Sequence, residues 1–317
     1  MISVSRVLGA ICVLVVLLSS HGVSTTTVTN VHTGGVLFEG PHWSTTENAL
    51  YWIDMEANGV FRLDYATNTV TNRSIAYGSV SLAVSVQDNP GLILITVRSG
   101  VYFMNWNTFQ DDSSLRLLTA VELGIPGNSA NDGKVDANGR LWFGTKSDRR
   151  ESVTDRATLY MLDQHNYRNP EVKVRPVSLS NGIAWSTDNR LMYYIDSRTN
   201  NVDVFNFDLE RAALSSRRTF FNFPENNVSG PDGMTIDSDG NLWLASLGGS
   251  KVIKVSPAGV ILEEHLLPEP RITSVMFGGP DLSILYVTAH TSLYAIEGTG
   301  ARGLPENQFV FPNAANF

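Results

Sequence analysis

The sequence predicts an all-β chain, a six-bladed β-propeller of four-stranded antiparallel sheets. Three observations lead there. After the first two dozen residues no long stretch shows the 3.6-residue apolar period of an amphipathic helix. Strand-like runs rich in β-branched and aromatic residues alternate with clusters of Asn, Asp, Gly and Ser, the chemistry of tight hairpins. The runs also recur as units of roughly 40–50 residues, the period of a propeller blade. A β-sandwich is the alternative, but its strands need not repeat in such units.

The units follow in order. "FEGPHWSTTENALYWID" at 38–54 and "SNGIAWSTDNRLMYYID" at 180–196 are near copies. "NDGKVDANGRLWFGT" begins at Asn131, "PDGMTIDSDGNLWLAS" at Pro231 and "TSVMFGGPDLSILYVTA" at Thr273, with a weaker relative near 84–97. Each gives a strand, a turn and a second strand. A third follows in "GVFRLDY", "GVYFMNW", "ATLYMLD", "NVDVFNF", "KVIKVS" and "TSLYAIE". Fourth strands are visible in "TVTNRSIAY", "RRTFFNF" and "VILEEHLL", and "GLPENQFVFPNAANF" reads as a plain tail. Asp237-Ser238-Asp239-Gly240 resembles half an EF-hand loop. Its twelfth position is Gly248 rather than Glu, so it reads as a hairpin turn.

The N-terminus is read separately. Arg6, the apolar run "VLGAICVLVVLL" and the small polar "SSHGVSTTT" form the pattern of a secretory signal peptide, assigned to residues 1–24. An uncleaved anchor is the alternative, although the run is short for a membrane span. Residues 25–317 are then one propeller domain, secreted and with no stable membrane insertion. Cys12, the only cysteine, lies in the signal, so the mature chain has no disulfide, thiolate metal site or cysteine nucleophile. Asn72-Arg73-Ser74 and Asn227-Val228-Ser229 are acceptor sequons if the chain is exported. A formal charge of −8 without a Lys/Arg cluster argues against nucleic-acid binding. The expected partner is a small-molecule substrate.

One repeat position carries chemistry. Counted back from the aromatic of each second strand, it reads Glu39, the Ser81–Leu82 region, Asn131, Asn181, Asp232 and Ser274. Equivalent positions of successive blades converge on the central channel, so carboxylate and amide oxygens meet there. Such a set suits a hard cation: calcium best, with magnesium or manganese also fitting and zinc less so. The other reading of Glu39-Gly40, Asn181-Gly182 and Asp232-Gly233 is turn formation. His42 and His290 are candidates for proton transfer, with structural roles as the alternative. No G-x-S-x-G, H-E-x-x-H, P-loop or G-x-G-x-x-G is present.

Together "EGPHW", "NDGKVD-ANGRLWFGT", "SNGIAWSTDNRLMYYIDS", "PDGMTIDSDGNLW" and "TSVMFGGPDLSILYVT" resemble the SMP-30/gluconolactonase/luciferin-regenerating-enzyme family, which includes regucalcin, from about Gly35 to Ile296. The resemblance implies a propeller with one divalent metal on Glu39, Asn181 and Asp232. It also implies Asn131 as a substrate-binding residue and Asp232 as the general base. Three positions depart from the family pattern. Ser129 stands where an Arg is frequent, Arg149 replaces a Glu with Asp148 beside it, and Lys146 ends the "GTK" that is otherwise "GTM". The expected function is metal-dependent hydrolysis of a lactone or related ester, with Asn131 and Lys146 or Arg149 orienting the substrate. A non-catalytic metal- and ligand-binding propeller, and luciferin-regenerating chemistry on an aromatic heterocycle, are the alternatives.

Overall fold

The computed structural model describes residues 26–147, 154–223 and 230–316. The signal segment, Arg149 and the sequon at Asn227 lie outside them. Six four-stranded antiparallel sheets form the blades. Five run in simple order from the axis outward: β2(Phe38–Ser44) to β5(Thr69–Ser74), β6(Val80–Ser85) to β9(Arg116–Ala120), β10(Ser129–Val135) to β13(Glu171–Val177), β14(Ser180–Trp185) to β17(Ala213–Asn222), and β18(Gly230–Ile236) to β21(Ile261–Leu266). The sixth contains β22(Ile272–Gly278), β23(Ile284–Ala289) and β24(Ser292–Glu297). Its outer strand is β1(Thr27–Thr33), from the other end of the chain. This closure was not legible in the sequence, because β1 is a polar edge strand with no apolar alternation. It pairs antiparallel with β24, from Thr27 opposite Glu297 to Thr33 opposite Ser292.

The inner strands β2, β6, β10, β14, β18 and β22 each touch the next, and β22 returns to β2. Six apolar clusters fill the six blade interfaces. A strand's side chains alternate between its two faces, so each middle strand feeds two clusters. In β3(Ala49–Asp54), Leu50 and Trp52 face the sixth blade, while Tyr51 and Ile53 face the second. In β19(Leu242–Leu247), Leu244 packs on the fourth blade and Trp243 on the sixth. Burial on both faces explains why these strands read as continuous apolar runs.

Two buried carboxylates fasten the tryptophans of the third and fifth blades. Asp136, fully buried, accepts from Trp142 Nε1 at 2.8 Å and Arg140 Nε at 2.7 Å. Asp237 accepts from Trp243 Nε1 at 3.0 Å. Its other oxygen takes the backbone N–H groups of Asp239 and Asn241, so the Asp237–Gly240 segment is the hairpin turn its sequence implied.

The C-terminal segment is not a plain tail. Phe309 and Ala314 are buried in the cluster between the second and third blades. Phe309 exchanges backbone hydrogen bonds with Ser85 and Gln87. Upstream, Glu306 lies 3.4 Å from Lys134 and 3.7 Å from His42, across the end of the channel where the inner strands finish. The sequence shows Phe309 and Phe311, but reading them as a plain tail missed that they are anchors. Their partners lie on the second and third blades, more than 140 residues upstream.

Candidate functional site

Every inner strand slips register against its neighbour near the repeat position. The shifts fall between Glu39 and His42, Val80 and Leu82, Ala130 and Gly133, Ser180 and Ile183, Pro231 and Met234, and Ile272 and Ser274. A bulge interrupts the ladder and re-aims a side chain. Asn131, Asn181 and Asp232 therefore stand in strand bulges, and Glu39, paired with Ile53, stands at the edge of one; none is in a turn. The sixth-blade position is corrected by one residue: the bulged residue is Thr273, while Ser274 is paired with Thr288. The second-blade residue is Ser81, bound to Thr96 Oγ1 at 2.7 Å.

The glycines beside these residues have a steric cause. Gly40 has φ +54°, in the left-handed region. A Cβ at Gly182 would stand 2.8 Å from Met234 N and 2.9 Å from Asp232 O, so the fourth and fifth inner strands meet backbone to backbone.

Glu39, Asn131, Asn181 and Asp232 line one cavity of about 20 Å³ with Arg271 and Thr273, at the end of the channel where the inner strands begin. All four are less than 10% exposed. Asn131 Nδ2 donates to Asn181 Oδ1 at 2.8 Å and to Ser180 O at 2.7 Å. Asn181 Nδ2 donates to Ser197 Oγ at 2.7 Å, and that hydroxyl donates to Pro231 O at 2.7 Å, beside Asp232. Each amide is thus oriented by its N–H groups, and Asn181 Oδ1 is the acceptor that links the two.

The Ile-Asp shared by the two near-identical repeats holds the loops that lead here. Asp54 accepts from Val36 N and Leu37 N at 2.8 and 3.0 Å, and Asp196 from Ser178 N and Leu179 N at 2.9 and 3.0 Å. Both clamps lie two residues before a cavity side chain, Glu39 or Asn181. Sequence reading noticed the repeat but not this use of it. It also passed over Ser197, which directly follows the second Ile-Asp, and Arg271.

The electrostatics are those of crowded acids. Burial pushes the Glu39 carboxyl well above its usual range, and Asp232 and Asp132 push it further; the Gly40 N–H and Lys146 oppose them. Burial also raises Asp132 to about 6, against the Gly133 N–H and Lys134. A cation among these groups would relieve the repulsion. Two carboxylates with amide oxygens form a donor set that fits a hard divalent ion. Among the described residues no group of three or more His, Cys, Asp or Glu is placed to hold a metal, so the amides are essential to any such set.

Other expected residues lie apart. Ser129 pairs with Lys146 across the β10–β11(Leu141–Lys146) ladder, so the cation stands on the strand facing Ser129. Lys146 Nζ reaches Met55 Sδ at 2.6 Å, and Met55 lines the cavity. His42 lines a second cavity further along the channel, with Asp132, Lys134 and Glu306. Its Nε2 accepts from Ser85 N at 3.1 Å, so its proton sits on Nδ1, towards Glu306. His290 lies at the turn after β23, where its backbone N–H donates to Arg271 O.

Comparison with known proteins agrees with this geometry. The family described as SMP-30/Gluconolactonase/LRE-like region matches residues 37–291. The chain belongs to that family. It is 34% identical over 282 residues to human regucalcin, covering 86% of this chain and 89% of that protein. It is 32% identical to regucalcin of Xenopus laevis, over 86% and 94% of the two chains. Its fold is similar to that of a solved luciferin-regenerating enzyme, with a TM-score of 0.85, 28% identity and coverage of 90% and 100%. The matched residues, 37–291, hold every strand of the propeller except β1 and β24 of the sixth blade.

Proposed function

We propose that this family member is a divalent-metal-dependent hydrolase of a lactone or related ester. The observation that carries the reading is the meeting of Glu39, Asn181 and Asp232 with Asn131 in one small buried cavity. Family membership supports lactone hydrolysis as the reaction class. A solved regucalcin from Agrobacterium tumefaciens, described as a calcium-binding protein, shares the fold at 22% identity. Calcium is accordingly the favoured ion, ahead of manganese, magnesium or zinc.

Glu39, Asn181 and Asp232 would hold the cation. When bound, such an ion supplies Lewis-acid polarisation of the substrate carbonyl. Asp232 accepts the proton of the attacking water, as a carboxylate kept ionised near positive charge can do. Asn131 presents its Oδ1 to the substrate, since both hydrogens of its amide are spent on Ser180 and Asn181. Lys146 contributes positive charge at the cavity edge, opposite Ser129. Burial keeps bulk water from competing for these groups. The proposed setting is extracellular, on the strength of the N-terminal signal pattern.

The test is hydrolysis of a lactone panel with calcium, manganese, magnesium or zinc, using wild type beside Asp232→Ala. Loss of at least about 100-fold in kcat for the variant is expected, the scale of a positioned general base. Equal rates would reject the proposal.

A further inference from the structure

The cavity contains a cation that the acidic set does not use. Arg271 immediately precedes β22, and its backbone is fixed by a bridge to Leu247 and by His290 N donating to its carbonyl. Its side chain is half-buried and lines the same cavity as Glu39, Asn131, Asn181 and Asp232. Yet its guanidinium makes no hydrogen bond or ion pair with any described residue. By contrast, buried Arg140 pairs with Asp136 and half-buried Arg62 with Asp64.

A guanidinium has five donors and no acceptor, and withdrawing it partly from water without a partner is costly. The positive group that acts on Glu39 is Lys146. Arg271 is thus not the counter-ion of Glu39. Once a divalent ion neutralises Glu39 and Asp232, two further positive side chains, Arg271 and Lys146, bias the cavity towards an anion. The planar fork of Arg271 matches a carboxylate through two parallel N–H···O bonds, which an ammonium cannot form.

We propose that Arg271 is a specificity-determining residue that selects lactones or esters carrying a free carboxylate in addition to the bond cleaved. This rests on the hydrolase reading given above. It also accounts for a substrate wall lacking an Arg at Ser129: a guanidinium is supplied from the sixth blade, beside Lys146 of the third.

Two lactones of nearly equal size separate the charge from the shape: 5-oxotetrahydrofuran-2-carboxylate and uncharged γ-valerolactone. Wild-type calcium-loaded protein is expected to favour the carboxylate in kcat/KM. Arg271→Gln should raise KM for the carboxylate about tenfold or more, with kcat little changed and γ-valerolactone within about twofold. Arg271→Lys should recover only part of the loss. Equal changes on both lactones, or none, overturn the proposal. If wild type cleaves neither, the hydrolase reading fails, and calorimetric titration with 2-hydroxyglutarate decides the rest. Binding weakened about tenfold in Arg271→Gln supports a carboxylate site. Equal binding, or no binding to wild type, overturns it.

Discussion

Asn131 Nδ2 donates a 2.8 Å hydrogen bond to Asn181 Oδ1, joining residues fifty positions apart on neighbouring blades. With the Asn181–Ser197 bond, it forms a line of amides and hydroxyl leading to the backbone beside Asp232. Partners that orient ligands in this way commonly set metal affinity. Ser197→Ala should therefore weaken calcium binding about tenfold while leaving the melting temperature nearly unchanged. Calorimetric titration checks this, and unchanged affinity would show that Ser197 does not position Asn181.

The Asp136 and Asp237 anchors predict large stability effects far from the cavity. Asp136→Ala strands the Arg140 guanidinium and Trp142 Nε1, with two backbone N–H groups as well. Removing one member of such a buried charged network costs about 3–5 kcal/mol. Urea denaturation should report that loss, and a change below about 1 kcal/mol would mean that neighbouring groups replace the carboxylate.

Closure by β1 makes the N-terminal strand a structural requirement. A chain beginning at Gly34 should melt roughly 5–10 °C lower and self-associate through the bared edge of β24. Scanning calorimetry with light scattering tests both. An unchanged monomer with the same melting temperature would mean that the other 23 strands close the ring unaided.

Much of the fold was readable because each blade repeats the same strand–turn–strand grammar. The cavity positions were readable because Glu39, Asn131, Asn181 and Asp232 share one repeat position. Sequence could not show that β1 completes the last blade, since pairing of chain ends leaves no local signal. Nor could it show that the segment around Glu306 and Phe309 crosses the channel end. Arg271 was missed for a different reason. It precedes a strand instead of occupying the repeat position, and only closure of the ring brings it to the cavity that Glu39 of the first blade also lines. In the sixth blade the count fell on Ser274 where Thr273 is bulged, because a strand slip cannot be read from spacing alone.

His42 predicts a pH dependence. Burial lowers it to about 4, with Lys134 acting in the same direction and Glu306 against it. Between its ordinary value near 6.5 and 4, the unfolded chain takes up a proton that the folded chain does not. Stability contributed by neutral His42 is therefore full above this window and falls as pH drops through it, by roughly 3 kcal/mol at the lower end. His42→Gln should flatten that slope in urea titrations between pH 7 and 4. An identical slope would exclude His42 as its source.

The central claim is that donors from three separate blades share one cation. Anomalous scattering from crystals grown with calcium, or with manganese for a stronger signal, tests it most directly. The account predicts a single peak in the cavity, within about 2.0–2.6 Å of oxygens from Glu39, Asn181 and Asp232 together. A peak elsewhere, or none with metal in excess, would contradict it.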